Sequence, residues 1–175
     1  MCGIVGGVSE RNVVSIIIEG LSRLEYRGYD SVGVAIINAD GELTRERVTG
    51  RVKELAQKCA SDHFKGTIGI GHTRWATHGG VSETNAHPHF SANNLAVVHN
   101  GIIENYAQLR TELQAQGYLF DSQTDTEVIV HLVHSIYKHN HDLLEAVRMA
   151  TQHLHGAYAI GMISKDNPNE VICAR

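Results

Sequence analysis

The chain has 175 residues, of which 42% are hydrophobic and 19% are charged, and its formal net charge at pH 7 is −4. This composition excludes a disordered tail and a membrane-spanning segment, because it lacks the charge excess of the first and the long apolar run of the second. The weak negative charge also argues against a general nucleic-acid surface, so a small-molecule substrate is expected. With no internal repeat and no linker, we expect one domain over residues 1–175.

The cysteine and histidine content bears on compartment and metals. Cys2, Cys59 and Cys173 are odd in number and far apart, and no signal-peptide pattern precedes the first strand. A reduced, cytoplasmic protein without disulfides is therefore expected. The 12 histidines raise the question of a metal site. Since no CxxC or HExxH motif is present, we expect neither a metal nor a cofactor.

The first residues place Cys2 directly before an apolar run over residues 4–8 that indicates a buried strand. If Met1 is removed, the thiol of Cys2 and a free α-amino group belong to one residue. Near neutral pH such an amine can accept the proton that a thiol gives up, so one residue would supply both nucleophile and base. The alternative is that Cys2 is a small residue without chemistry.

The elements after this strand alternate between core-facing helices and strands joined by hairpins. Apolar spacing and turn signals predict a helix over 14–24, strands over 32–37 and 43–48, a helix over 51–60 and a glycine-rich strand over 67–72. Cys59 falls on the apolar face of the second helix and is expected in the core. Glycine inside a strand marks a place where another backbone or a ligand comes close.

Residues 73–91 have no sustained periodicity and include Trp75 and the pair Gly79-Gly80. A polar loop with a glycine hinge and an aromatic residue predicts a lid over a site. The alternative is a solvated surface loop.

The strand over residues 95–99 ends at Asn100-Gly101, a pair that by itself favours a tight hairpin turn. The pair could instead present an amide side chain and an open backbone N–H to a ligand, which are the two kinds of donor that an oxyanion hole uses. A helix capped by Asn105 with Gln108 follows and ends at Gly117. Later elements are predicted as helices after Thr124 and Asp142 and strands over 157–163 and 171–174.

Asp125 lies inside a predicted capping box, Thr124 to Glu127, at the start of a helix. One interpretation is that its carboxylate complements the helix dipole. The other is that it holds a cationic group of a substrate.

Several motifs, taken together and in order, resemble those of class II glutamine amidotransferases of the N-terminal nucleophile hydrolase type. They are Met1-Cys2-Gly3-Ile4-Val5-Gly6, Arg27-Gly28-Tyr29-Asp30-Ser31, His72-Thr73-Arg74-Trp75-Ala76-Thr77-His78-Gly79, Asn85-Ala86-His87-Pro88-His89, His99-Asn100-Gly101 and Thr124-Asp125-Thr126-Glu127. Within that family, the Arg-Gly-Tyr-Asp motif and the full run from His72 to Gly79 are most similar to the glutaminase half of the glutamine–fructose-6-phosphate aminotransferases. The resemblance covers essentially the whole chain.

This resemblance implies an α+β fold, a four-layer αββα sandwich with mostly antiparallel central sheets. It implies that Cys2 attacks the side-chain amide of L-glutamine to form a thioester, and that Asn100 and Gly101 stabilise the oxyanion. Of the remaining site residues, Arg74 would bind the α-carboxylate of glutamine and Asp125 its α-ammonium. The same pocket would include Gly28, Thr77 and His78, with Trp75 in the closing loop.

The resemblance also implies a partner domain. In the family a sugar-isomerase half that binds fructose 6-phosphate follows the glutaminase half, and the full-length enzyme is expected to be a homo-oligomer. The sequence given ends at Arg175, so that half is expected to be absent from it, and ammonia would be made here for use there. The alternatives are the glutaminase domain of another amidotransferase, such as the amidophosphoribosyl type, and a non-catalytic glutamine-sensing module.

Overall fold

The structure is a computed structural model that describes residues 2–61 and 63–175. Within these ranges the strands are β1 (Gly3–Val8), β2 (Ser31–Asn38), β3 (Leu43–Val48), β4 (Gly66–Arg74), β5 (His89–Ser91), β6 (Leu95–Ile103), β7 (Gly156–Ser164) and β8 (Ile172–Ala174). The helices are α1 (Val14–Leu24), α2 (Val52–Lys58), α3 (Tyr106–Ala115), α4 (Thr126–Asn140) and α5 (Leu143–Thr151). None of the helices in the described ranges is long and apolar enough to cross a membrane.

The strands form two four-stranded sheets with the orders β1-β4-β2-β3 and β5-β6-β7-β8. Every pairing within them is antiparallel. In the first sheet β4 lies between β1 and β2, so the end of β1 that carries Cys2 lies beside the end of β4 that carries Arg74.

Alternation along β2 explains how the first sheet faces two cores. Val32, Val34 and Ile36 pack in one apolar cluster with α1 and α2. Ala35 and Ile37 belong to a second cluster, which also contains residues of the other sheet. Successive side chains of a strand point to opposite faces, so β2 is covered by helices on one face and by a sheet on the other.

The second sheet is built in the same way around β6. Leu95 and Val97 join a cluster with α3, α4 and α5, whereas Ala96 and Val98 face the first sheet. Helices therefore cover the outer face of each sheet, and the inner faces pack against each other. The predicted α+β fold, a four-layer αββα sandwich, is confirmed.

The glycines of β4 allow α1 to lie close to the first sheet. A Cβ atom added at Gly71 would lie 2.6 Å from Ile17 Cγ2 and 2.9 Å from Leu21 Cδ1, and one at Gly69 would lie 2.9 Å from Ile17 Cδ1. Contacts this short do not occur between real side chains, so α1 fits only because these positions carry no side chain. The close approach predicted for this strand is made by a helix.

The strand boundaries between residues 72 and 103 differ from the sequence prediction. β4 continues through Arg74 and β5 begins at His89, so the irregular segment is confined to residues 75–88. β6 runs without a turn through Asn100 and Gly101 and pairs with β7 along its whole length. A Cβ atom at Gly101, where φ is 129°, would lie 2.1 Å from the Ala157 carbonyl oxygen, so only glycine fits here. The hairpin interpretation of this pair is therefore wrong.

Two predicted helix caps are also wrong, because the side chains concerned bond to groups other than the helix ends. Asn105 precedes α3 without capping it, and its amide donates to the carbonyl oxygen of His153 at 2.9 Å. At α4 the N-cap residue is Asp125, and its side chain makes no capping bond. The Glu127 carboxylate instead accepts from the backbone N–H of Ser122 at 2.8 Å.

We predict that Gly71→Ala lowers the free energy of unfolding by about 1–3 kcal/mol, the usual cost of inserting a carbon into a packed interior. Chemical denaturation of both proteins measures this difference. Gly7→Ala on β1 is the matched control, because a Cβ atom there meets nothing within 4 Å. Equal stability of the Gly71 and Gly7 variants would contradict the packing described for α1.

Candidate active site

A cavity of about 340 Å³ opens where the first sheet meets β6 and the start of α4. Apart from Gly28, every predicted site residue is among those that line it. The lining consists of Cys2, Arg27, His72, Arg74, Trp75, Thr77, His78, His87, His99, Asn100, Gly101, Ile102, Thr124, Asp125 and Thr126. The structure thus brings together residues from opposite ends of the chain.

Cys2 lines this cavity and is only partly buried. The backbone N–H of Trp75 donates to Cys2 Sγ at 3.2 Å, which ties the thiol to the first residue after β4. The next residue is anchored too, because the Gly3 N–H donates to Thr73 Oγ1 at 3.1 Å. The expectation that Met1 is removed concerns a residue outside the described ranges.

The other two cysteines lie in different surroundings. Cys59 is 6% exposed in the core under α2, as predicted. Burial raises the pKa of the Cys59 thiol to about 12, which keeps it protonated and unreactive. Cys173 is exposed and lines, together with Cys2, a separate cavity of about 510 Å³.

Asn100 and Gly101 lie side by side on β6, facing Cys2. Asn100 Nδ2 donates to the carbonyl oxygen of Cys2 at 3.2 Å. Gly101 borders the cavity with its backbone, since no side chain fits there. The Asn100 amide N–H₂ and the Gly101 backbone therefore border the same cavity as Cys2.

Arg74 is a buried cation at one side of the cavity, with 4% of the residue exposed. Its guanidinium donates to the carbonyl oxygens of His78 at 2.6 Å, Gly79 at 3.4 Å and Gly80 at 3.2 Å. Burial lowers the pKa of this guanidinium, and the charge of Asp125 is among those that act in the opposite direction. No carboxylate of the described residues forms an ion pair with Arg74.

Asp125 is a buried anion that lines the same cavity and is also 4% exposed. Its Oδ2 accepts a hydrogen bond from the backbone N–H of Ile103 at 2.8 Å, and the described part of the chain offers it no ion-pair partner. Burying a charge without an opposite charge is costly. The cavity lining therefore includes a buried cation and a buried anion, Arg74 and Asp125, and neither forms an ion pair with a described residue.

The remaining predicted residues surround the mouth. Trp75 is 45% exposed and packs edge-on against Tyr29 with ring centroids 5.4 Å apart. Thr77 is exposed, and the partly buried His78 packs edge-on against Tyr106. Gly28 does not line the cavity but lies behind it, where an added Cβ atom would lie 3.0 Å from the Arg74 carbonyl carbon.

Three histidines of the lining were not predicted as site residues. His72, His87 and His99 are each at most 5% exposed, and burial lowers their pKa values, to about 3 for His72 and about 4 for His99. All three are neutral at physiological pH. One available signal was the alternation of β4, which puts His72 on the same inward face as Ile68 and Ile70.

Across residues 2–61 and 63–175, no three or more His, Cys, Asp or Glu side chains are grouped so that they could hold a metal ion. The buried histidines instead form hydrogen bonds to hydroxyl groups at the start of α4 and just before it. His87 and His99 both bond to Thr126 Oγ1, and His89 bonds to Thr124 Oγ1.

Comparisons with known proteins agree with this arrangement. The profile of the glutamine amidotransferase domain family matches residues 72–175. Over its full length the chain is 58% identical to the glutamine–fructose-6-phosphate aminotransferases (isomerizing) of Pseudomonas putida and Idiomarina loihiensis. It is 54% identical to the same enzyme of Pseudomonas aeruginosa. The chain spans about 29% of the length of each of these relatives.

Solved structures show the same fold. The glutamine phosphoribosylpyrophosphate amidotransferase from B. subtilis, complexed with ADP and GMP, has a TM-score of 0.77 and 30% identity over 94% of this chain and 35% of its own. A glutamine aminotransferase class-II domain protein from Silicibacter pomeroyi has a TM-score of 0.59 and 20% identity over 83% of this chain and 68% of its own, a likeness of fold alone. The chain belongs to the glutamine amidotransferase domain family.

Proposed function

We propose that this chain hydrolyses L-glutamine to glutamate and ammonia through a thioester on Cys2. The observation that carries the proposal is the pair of unmatched buried charges, Arg74 and Asp125, in the cavity that also holds the thiol. A free amino acid carries a carboxylate and an ammonium group on one carbon, so its binding would neutralise both. The side-chain amide is then the part of glutamine left to face Cys2.

Arg74 is suited to the α-carboxylate because a guanidinium can offer two parallel N–H donors to it. Asp125 is suited to the α-ammonium because its position is set by the Ile103 N–H. Thr77 and His78 line the same cavity and complete the pocket. Gly28, which has no side chain, allows the Arg74 backbone to pack directly against it. Trp75 lies in the loop that would close over the bound substrate.

The chemistry follows from the position of the thiol. With Met1 removed, the α-amino group of Cys2 takes the proton of the thiol, and the sulfur attacks the amide carbon of glutamine. The tetrahedral oxyanion is stabilised by Asn100 Nδ2 and the Gly101 N–H. Collapse of this intermediate breaks the C–N bond, and ammonia leaves with the proton from the amine. Water then hydrolyses the thioester and releases glutamate, which restores the thiol.

In a longer protein we propose that the ammonia is passed on to fructose 6-phosphate to give glucosamine 6-phosphate. The support is the 58% identity to glutamine–fructose-6-phosphate aminotransferases over the full length of this chain. The amidophosphoribosyl alternative rests on a solved structure with only 30% identity. A non-catalytic sensing module is disfavoured because Cys2, Asn100 and Gly101 are all in place at one cavity. Such an enzyme would work in the cytoplasm, where its sugar substrate is expected.

We predict that an electrophile shaped like glutamine labels Cys2 alone, and only in chains that have lost Met1. Intact-mass measurement and peptide mapping identify both the labelled residue and the state of the amino terminus. Cys173 is exposed and Cys59 is buried, so these thiols report labelling that does not depend on the substrate pocket. Cys173→Ser should retain full glutaminase turnover, and Cys2→Ala should have none. Turnover in a chain that retains Met1 would contradict the mechanism.

We predict that the two charged residues recognise opposite ends of glutamine. Arg74→Ala should raise the KM for glutamine about 10-fold to 100-fold, the value of a charge-assisted hydrogen bond. It should leave the KM for 4-aminobutanamide, which lacks the carboxylate, nearly unchanged. Asp125→Asn should also raise the KM for glutamine, but it should leave the KM for 4-carbamoylbutanoate, which lacks the amine, nearly unchanged. Ammonia release from each substrate provides the measurement.

The rate at which iodoacetamide alkylates Cys2 is the control for both variants, because this small neutral reagent carries neither charge. An equal loss of alkylation and of turnover would mean that the substitution disturbed the thiol itself. An equal loss towards all three substrates would contradict the assignment of the two ends.

We predict that the acceptor is the ketose phosphate fructose 6-phosphate. A natural form of the protein that extends beyond residue 175 should form glucosamine 6-phosphate from glutamine and fructose 6-phosphate, and should form no phosphoribosylamine from phosphoribosylpyrophosphate. Mass spectrometry of the products separates the two outcomes. Formation of phosphoribosylamine alone would overturn the choice of acceptor while leaving the glutaminase step intact.

A further inference from the structure

One ring nitrogen of His72 lies between two oxygen atoms. His72 Nε2 is 3.0 Å from the carbonyl oxygen of His99 and 2.9 Å from Asn100 Oδ1. A backbone carbonyl only accepts hydrogen bonds, so Nε2 must carry the proton. Because the ring is neutral, Nδ1 carries none, and Nδ1 indeed has no hydrogen-bond partner among the described residues.

The same contacts decide which way the Asn100 amide points. With Oδ1 towards His72, Asn100 Nδ2 donates to the Cys2 carbonyl oxygen at 3.2 Å. If the amide were flipped, Oδ1 would face the Cys2 carbonyl oxygen. His72 Nε2 would then have to give up its proton to accept from Nδ2, and would face the His99 carbonyl oxygen without one. Both contacts would be repulsive, so only one orientation satisfies every group.

The ring of His72 is itself held in place. It stacks on His87 with ring centroids 4.1 Å apart and an interplanar angle of 28°. His87 Nδ1 accepts from the His99 backbone N–H at 3.3 Å, so its proton is on Nε2, which donates to Thr126 Oγ1 at 3.1 Å. The Thr126 hydroxyl then donates to His99 Nδ1 at 2.9 Å. These bonds fix the protons of His87 and Thr126, and they leave the proton of His99 on Nε2, a buried atom without a hydrogen-bond partner among the described residues.

We propose that His72 is a positioning residue for the glutaminase step, which orients the Asn100 amide so that its N–H₂ group, and not its oxygen, points towards Cys2. The inference rests on the proposed function. An amide in the flipped orientation would turn its oxygen towards the developing oxyanion and repel it. By holding Asn100 Oδ1, the N–H of His72 stabilises the transition state without touching the substrate. Glutamine binding relies on Arg74 and Asp125 and does not require this orientation.

Three substitutions at residue 72 separate the N–H donor from the ring. In His72→Gln the amide nitrogen reaches the place of Nε2, in His72→Asn the side chain is one bond too short, and in His72→Leu the donor is absent. We expect kcat for glutamine within about 3-fold of wild type for His72→Gln. For the other two, kcat should fall about 10-fold to 100-fold, less than the loss of an oxyanion donor itself. KM should change less than about 3-fold in all three.

His89→Leu is the matched structural control. His89 is 2% exposed and His72 is 1% exposed, and burial lowers the pKa of His89 to about 3, so both substitutions remove a buried neutral imidazole. His89 does not line the cavity, and its Nε2 lies 3.1 Å from Thr124 Oγ1. Any loss of stability should be similar for the two leucine variants, whereas the loss of kcat should belong to His72 alone.

Thiol reactivity shows whether each variant is intact. Alkylation of Cys2 by iodoacetamide forms no oxyanion, so its rate should be unchanged, and Cys59 should stay unlabelled wherever the core is preserved. Full kcat in His72→Leu, or an equal loss in His72→Gln and His72→Leu, overturns the positioning role while the wild-type chain remains active. A wild-type chain that releases no ammonia from glutamine overturns the proposed function, and this role with it.

Discussion

The amide side chain of Asn100 links the two sheets at the candidate active site. Asn100 on β6 accepts from His72 on β4 and donates to the carbonyl of Cys2, which precedes β1. The distance between the thiol and its neighbouring donors therefore depends on how the two sheets pack. That packing is set by the apolar cluster between the sheets, which includes Ile70 and Val98. Ile70 lies two residues before His72 on β4, and Val98 lies two residues before Asn100 on β6. The core and the site are successive parts of the same interface.

The interior changes character along this interface. Where the sheets are closed it is aliphatic, and towards the cavity it is filled by imidazole rings that are hydrogen-bonded and neutral. Neutral rings suit this position because charged ones would be costly to bury and would repel the nearby guanidinium of Arg74. The buried histidines of this chain therefore serve the structure of a polar interior, and a metal is not needed to explain them.

Periodicity was sufficient to predict most of the helices and strands, because local spacing alone determines which face of an element is apolar. It also placed Cys59 in the core correctly. The sandwich and the site residues came from the family resemblance, since spacing alone left the roles of Asn100 and Asp125 open. The structure adds where these residues lie, which no local pattern contains.

What could not be predicted depends on partners that are distant in sequence. Asn105 has the local signature of a helix cap, but a hydrogen bond to the carbonyl oxygen of His153 occupies its side chain instead. No local pattern predicts the positioning role of His72, because that role depends on a hydrogen bond to Asn100 on the other sheet. A hydrogen bond between two sheets is specified by both strands and by their packing, and reading either strand alone does not reveal it.

The close fit of α1 on β4 has a consequence for how the chain tolerates mutation. Ile17 and Leu21 touch the glycine face of the strand whose next residues, Thr73 and Arg74, hold Gly3 and the substrate pocket. A larger or smaller side chain on the buried face of this helix would change how closely it packs on β4, the strand that ends at Thr73 and Arg74. Positions on the opposite side of the sheet from the cavity therefore contribute to the geometry of the site, although Ile17 and Leu21 do not line it.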